Sequence, residues 1–164
     1  MLRYMLDTNV CIYVIKNRPA QLRQRFNELA DQLCISVITL AELIYGAEKS
    51  ARPQQNLAVV EQFRARLEVL PFVERAANHY GQLWAELERA GQRIGIHDMM
   101  IGGHARSEGL TVVTNNVREF QRMPGLRFEN WLWPRRAMPP LAQPGIKLAP
   151  LHQGIKSYKR ARPR

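Results

Sequence analysis

The sequence predicts an α/β fold, a mainly parallel β-sheet covered by helices on both faces. Two observations carry this. Short apolar runs alternate with stretches of helical period through the first 132 residues, the pattern of strands joined by helical crossovers. The chain of 164 residues also fits one domain large enough to bury a core without disulfides or structural metal.

Residues 2–6 form a short strand, and Asn9 is suited to cap a helix over 9–15. Pro19 opens a second helix over 19–28, in keeping with proline at a first turn. Residues 33–35 read as a buried strand, and Ser36 as the cap of a helix running to Lys49, with Val37, Leu40, Ala41, Ile44 and Ala47 on one face. A helix over 53–66 leads to a strand at 68–70. The strongest helical period spans 73–90, with Val73, Ala77, Tyr80, Trp84 and Leu87 on one stripe. A helix over 97–108 ends at Gly109, and strands follow at 111–114 and 126–129. There is no internal repeat.

From Trp133 onward the character changes. Six of the ten prolines lie there with eight of the Lys and Arg residues and no acid. Such a segment cannot bury enough apolar surface to offset its ordering entropy, so the expected division is a folded domain over 1–132 and a basic, Pro-rich, disordered extension over 133–164. The net charge of +10 is therefore mostly a property of the extension, since sixteen basic residues face all fourteen acids before it. A basic extension holds polyanions non-specifically. No signal-peptide pattern opens the chain, and no apolar run approaches bilayer length. Cys11 and Cys34 each sit in an apolar run and read as buried free thiols. These features predict a soluble cytoplasmic protein that makes no use of a membrane.

The chemistry lies in acids placed where strand and helix patterns do not want them. Asp7 follows a strand directly; with Asn9 as cap, it is free to point across the carboxyl end of the sheet, where open α/β proteins place ligands. Asp98 shares the small apolar helix face of Ile101, Gly102 and Ala105, where a carboxylate needs a partner. Glu42 lies nearly opposite the Val37/Leu40/Ile44 stripe, the place of a solvated surface residue unless that face borders a cleft. Asn115 and Asn116 end an apolar run in ordinary turn chemistry, with Thr114 before them and Glu119 after. Converging carboxylates and amides suit a hard, oxygen-loving cation. Two such carboxylates about 4 Å apart repel by ~4 kcal/mol at an effective dielectric of 20, a repulsion that a divalent ion offsets.

Other chemistries find no support. His97 and His104 are too few and badly spaced for a zinc site, and the cysteines form no ligand pair. Ser36 and Ser107 lack the flanking glycines of a nucleophile elbow, and no Gly-rich phosphate loop is present. Gly102-Gly103 within a helix is expected to mark close packing on the sheet.

Four segments in order, Leu6-Asp7-Thr8-Asn9, Ala41-Glu42-Leu43-Ile44-Tyr45-Gly46, Ile94-Gly95-Ile96-His97-Asp98 and Val113-Thr114-Asn115-Asn116, resemble the PIN-domain ribonucleases and, more narrowly, the VapC toxins of type II toxin–antitoxin pairs. The resemblance runs from Met1 to about Trp131. It implies a PIN-like three-layer α/β/α sandwich and a Mg²⁺- or Mn²⁺-dependent endoribonuclease. Asp7 and Asp98 would be primary metal ligands, with Glu42 and Glu119 completing a catalytic set. Many members carry Asp where this chain has Asn116; Glu119 is then expected to take that place, with Asn116 and Thr114 as further metal or substrate contacts. The resemblance further implies cleavage in structured RNA, a tRNA anticodon stem-loop and above all initiator tRNA, inhibition of translation, a cognate VapB-like antitoxin, and a homodimer or toxin–antitoxin hetero-oligomer. Two rivals remain at this stage: a DNA-directed nuclease using the same acids, and a non-catalytic RNA-binding module.

Overall fold

A computed structural model of the chain describes residues 1–132; the expected extension over 133–164 lies outside them. Five strands form one sheet: β1 (Tyr4–Leu6), β2 (Leu33–Ser36), β3 (Glu68–Leu70), β4 (Thr111–Val113) and β5 (Arg127–Glu129). Their order is β3-β2-β1-β4-β5 and every pairing is parallel. The crossovers are α1 (Thr8–Ile15), α2 (Ala20–Glu28), α3 (Val37–Glu48), α4 (Pro53–Arg64), α5 (Glu74–Arg89), α6 (Ile96–Ser107) and α7 (Val117–Phe120). This is the expected three-layer sandwich.

The pleat sends alternate residues to opposite faces, and each face has its own core. Tyr4, Leu6, Leu33, Ile35 and Val113 pack with Val10, Phe26 and Phe63. Met5, Cys34 and Val112 pack on the other side with Leu83, Ile101 and Phe120. Both cysteines are buried free thiols, and burial pushes the Cys34 thiol up to about 12. At the sheet edge, Glu129 accepts hydrogen bonds from Arg25 (3.0 Å) and Trp131 Nε1 (2.8 Å), and the Arg25 guanidinium sits 4.3 Å from the Trp131 ring centre.

The chain moves outward from β1 to β3, then returns to β4 on the other side of β1. The crossovers therefore diverge between β1 and β4, and a crevice opens at their carboxyl ends.

Several expectations change. The buried face of α3 is Thr39, Leu43 and Ala47, whereas Val37 and Ile44 are 38% and 39% exposed. On α5 the buried stripe is Ala76, Leu83 and Leu87, and Trp84 is 49% exposed. Val37, Ile44 and Tyr45 of α3 and Trp84 of α5 face outward, and hydropathy alone does not distinguish such residues from the core. The N-cap position of α1 belongs to Asp7 rather than Asn9, with no side-chain capping bond; Ser36 caps α3 as expected, accepting from the Ile38 N–H at 3.1 Å. Gly102 and Gly103 pack on helices and loops, not on the sheet. A Cβ on Gly103 would lie 2.9 Å from the Tyr80 backbone of α5, and one on Gly102 would strike Met123. That close approach explains two glycines in the middle of a helix.

Candidate active site

Asp7 leaves the carboxyl end of β1 and Thr114 that of β4, so the two meet where the crossovers part. Parallel pairing of Leu6 with Val113 sets this alignment. Asp7 is 1% exposed, and the buried Thr114 hydroxyl donates to its Oδ2 at 2.9 Å. The same Oγ1 accepts the backbone N–H of Asn116 at 2.9 Å, shaping the turn into α7.

Asp98 lies in the first turn of α6, favoured by the helix dipole, and is 3% exposed. The Asn116 side chain donates from Nδ2 to its Oδ2 at 2.8 Å. Glu119, on α7, accepts the Gly95 N–H through Oε2 at 3.1 Å. It thereby ties α7 to the N-terminus of the helix that carries Asp98.

Glu42 contradicts its expected place at the surface. Its side chain is 10% exposed, because α3 buries the Thr39/Leu43 face against α1 and turns the neighbouring Glu42 inward. Thr8, at the start of α1, donates to Oε2 at 2.6 Å, and His97 Nδ1 lies 2.8 Å from Oε1. The carboxylate thus joins α1, α3 and α6.

Asp7, Glu42, Asp98, Glu119, Asn115 and Asn116 line one cleft of about 340 Å³, with Thr8, Asn9 and Ile12 on its remaining wall. Every residue expected at the site is at this cleft or, for Thr114, hydrogen-bonded to one that is. Three further residues bear on it. His97, which its spacing discounts as a zinc ligand, lies outside the cleft lining but meets Glu42 through Nδ1. Thr8 carried no signal beyond following Asp7. Asn115 reads as turn chemistry in the sequence, yet its Oδ1 is buried without a hydrogen-bond partner.

The donor set is chemically suited to a hard divalent cation: carboxylates, amides and hydroxyls, all oxygen-bearing. The buried, unpartnered Asn115 oxygen fits as well. Among the described residues no three His, Cys, Asp or Glu side chains stand close enough to cage a metal unaided. A cation such as Mg²⁺ keeps several waters and needs only one or two carboxylates, so the arrangement fits it.

Comparison with known proteins agrees. The PIN domain family matches residues 4–126. Over 131 residues, 80% of this chain and 99% of the relative, the chain is 60% identical to the tRNA(fMet)-specific endonuclease VapC of Salmonella typhimurium. Ribonuclease VapC2 of Haemophilus influenzae is 54% identical over 132 residues, 80% of this chain and all of that protein. Among solved structures, DNA-bound VapBC from Salmonella typhimurium superposes with a TM-score of 0.78 at 60% identity, covering 80% of this chain and 99% of that one. VapBC2 from Rickettsia felis, bound to a promoter DNA fragment, gives 0.75 at 42% identity, with 79% and 99% covered. With this fold, this cleft and these relatives, the chain belongs to the PIN-domain family and, within it, to the VapC ribonucleases.

Proposed function

We propose that the protein is a toxin-type, Mg²⁺- or Mn²⁺-dependent endoribonuclease that cuts initiator tRNA in its anticodon stem-loop and is neutralised by a VapB-type antitoxin. The observation that carries this is the convergence of Asp7, Glu42, Asp98 and Glu119 from four segments on one cleft, in a chain 60% identical to a relative named for that tRNA.

Asp7 and Asp98, the two most buried acids of the cleft, would hold the cation. When bound, it polarises the scissile phosphoryl group and lowers the pKa of a coordinated water. The chain's own contribution is orientation. Thr114 holds Asp7, Asn116 holds Asp98, Thr8 and His97 hold both oxygens of Glu42, and the Gly95 N–H holds Glu119. The hydroxyls of Thr114 and Thr8, the Asn116 amide and the Gly95 N–H are neutral, so they fix the carboxylates without cancelling their charge. Glu42 and Glu119 are then placed to orient and take a proton from the attacking water. Arg93, Arg118 and Arg122 are exposed beside Glu119, and Arg122 Nη1 donates to Arg93 O at 3.4 Å. They offer the RNA backbone a positive rim beside an acidic cleft.

An antitoxin is supported by the apolar hollow of about 450 Å³ between α3 and α4, lined by Leu40, Ile44, Leu57 and Val60. Ile44 is partly exposed there, and the next residue of α3, Tyr45, is exposed as well. No helix among the described residues is long and apolar enough to cross a membrane, and the buried free thiols suit the reducing cytoplasm where tRNA is found. The first 132 residues form the nuclease unit in this proposal, and the basic segment after them adds only non-specific affinity.

The test is cleavage of total bacterial tRNA with Mg²⁺, with EDTA, and with Asp98→Asn protein, mapping the ends. A discrete cut in initiator tRNA, absent in both controls, is expected. Cleavage that persists in EDTA and in the variant refutes the metal site, and a cut elsewhere refutes the substrate. Deleting 133–164 should weaken RNA binding at low salt and flatten its salt dependence while leaving the cut site unchanged; a changed cut site would show that the segment directs specificity.

A further inference from the structure

One polar atom of the cleft has no role in this scheme. Asn115 Oδ1 is buried with no donor to it, and Asn115 lines the cleft together with Asp7, Asp98 and Glu119. A carbonyl oxygen sealed from water without a hydrogen bond is costly and calls for a partner that the fold itself does not supply.

The two neighbouring candidates each hold another part of the site. Asn116 turns its Nδ2 to Asp98 at 2.8 Å and gives its backbone N–H to Thr114 Oγ1 at 2.9 Å. Glu119 uses Oε2 to hold the Gly95 N–H at 3.1 Å. With no three acidic or imidazole side chains close enough to cage a metal among the described residues, a hard cation completes its shell with neutral oxygen. An amide carbonyl is an ordinary ligand for such an ion, and so is water held by one.

We propose that Asn115 supplies a neutral oxygen to the cation shell, directly through Oδ1. Asn116 is the positioning residue that fixes Asp98. The division follows from the bonds each amide makes: Asn116 commits its Nδ2 to Asp98, whereas Asn115 Oδ1 has no donor. The inference rests on the metal-nuclease reading above and deepens its account of the site.

Mn²⁺ titration of the full chain, followed by electron paramagnetic resonance, tests it without reference to activity. Asn115→Ala should weaken Mn²⁺ binding about 10–100-fold, the usual effect of losing an outer or neutral partner of a metal site, with stoichiometry unchanged. Asn115→Asp, similar in shape and carrying a charge, should bind Mn²⁺ more tightly than wild type. This second variant keeps the test decisive should the alanine variant fold poorly. RNA affinity in EDTA should be the same for Asn115→Ala and wild type.

Wild-type Mn²⁺ affinity in Asn115→Ala, or no tightening in Asn115→Asp, overturns the assignment. Loss of RNA affinity in EDTA with Mn²⁺ affinity intact also overturns it and assigns the amide to an RNA phosphate instead. If the wild-type protein binds no Mn²⁺, the nuclease reading fails together with this one. A failure confined to the Asn115 variants leaves that reading standing.

Discussion

Thr114→Val removes one hydroxyl and almost nothing else, so it isolates what orients Asp7. The hydroxyl donates to the Asp7 carboxylate and accepts the Asn116 N–H, each at 2.9 Å. A hydrogen bond to a carboxylate contributes about 1.5–3 kcal/mol, and leaving the partly buried Asn116 N–H short of an acceptor adds about 1 kcal/mol. Burying a methyl in place of a hydroxyl offsets about 1 kcal/mol. The net loss is about 1.5–3 kcal/mol, or about 4–15 °C in Tm for a domain of this size. Urea and thermal melts in EDTA measure it without any contribution from bound metal. Thr114→Ser keeps both bonds and gives up only a methyl, so it should lose about 1 kcal/mol or less. Cleavage should follow the same order, with Thr114→Val losing kcat and Thr114→Ser keeping most of it. Equal losses in the two variants, or a Thr114→Val protein within about 0.5 kcal/mol of wild type, would refute the reasoning.

Two glycines in contact regions of different kinds should respond oppositely to alanine. Gly103→Ala places a Cβ 2.9 Å from the Tyr80 backbone and should destabilise by about 1–3 kcal/mol through overpacking; Gly81→Ala meets nothing within 4 Å and should stabilise by about 0.5–1 kcal/mol, both read from urea midpoints. The buried His104 has its pKa lowered, first by burial, with Glu108 raising it and Arg75 lowering it. The unfolded chain therefore binds the proton more readily, and the His104 contribution to stability is fully present above about pH 6.5 and lost as pH falls from there through the folded-state value, with a slope of at most about 1.4 kcal/mol per pH unit. Replacing it by leucine should remove that component, seen as a difference between wild-type and His104→Leu melts at pH 7.5 and 5.5; parallel profiles would refute the assignment.

The strand ends were legible in the sequence because a carboxylate closing an apolar run has few structural explanations. Asp7 stood out in this way, Asp98 as a carboxylate on a small apolar helix face, and the parallel sheet through the alternation of strands and helices. Glu42 did not, because its helix carries two apolar faces. The Val37/Ile44 face looked like core and is exposed, and only the packing of α3 on α1 turns Glu42 inward. The outward Trp84 misled the reading of α5 for the same reason. Roles shared between neighbours were also hidden. Asn115 and Asn116 have one chemistry in sequence, and only the direction of each side chain separates the residue that holds Asp98 from the one left with an orphaned oxygen. His97 was judged against the ligand pattern of zinc, a test that says nothing about hydrogen bonding to a glutamate 55 positions away.

The order in which the cleft's residues occur along the chain bears on the cell that makes it. Asp7 emerges early, but Thr114, the Asn115–Asn116 pair and Glu119 are synthesised more than 100 residues later. At translation rates of about 5–20 residues per second, that gap is about 5–25 s. Throughout it the nascent chain has no β4, so the crevice beside β1 has only one wall. On the proposed assignment of the site, fragments truncated before β4 should cut no RNA even without an inhibitor.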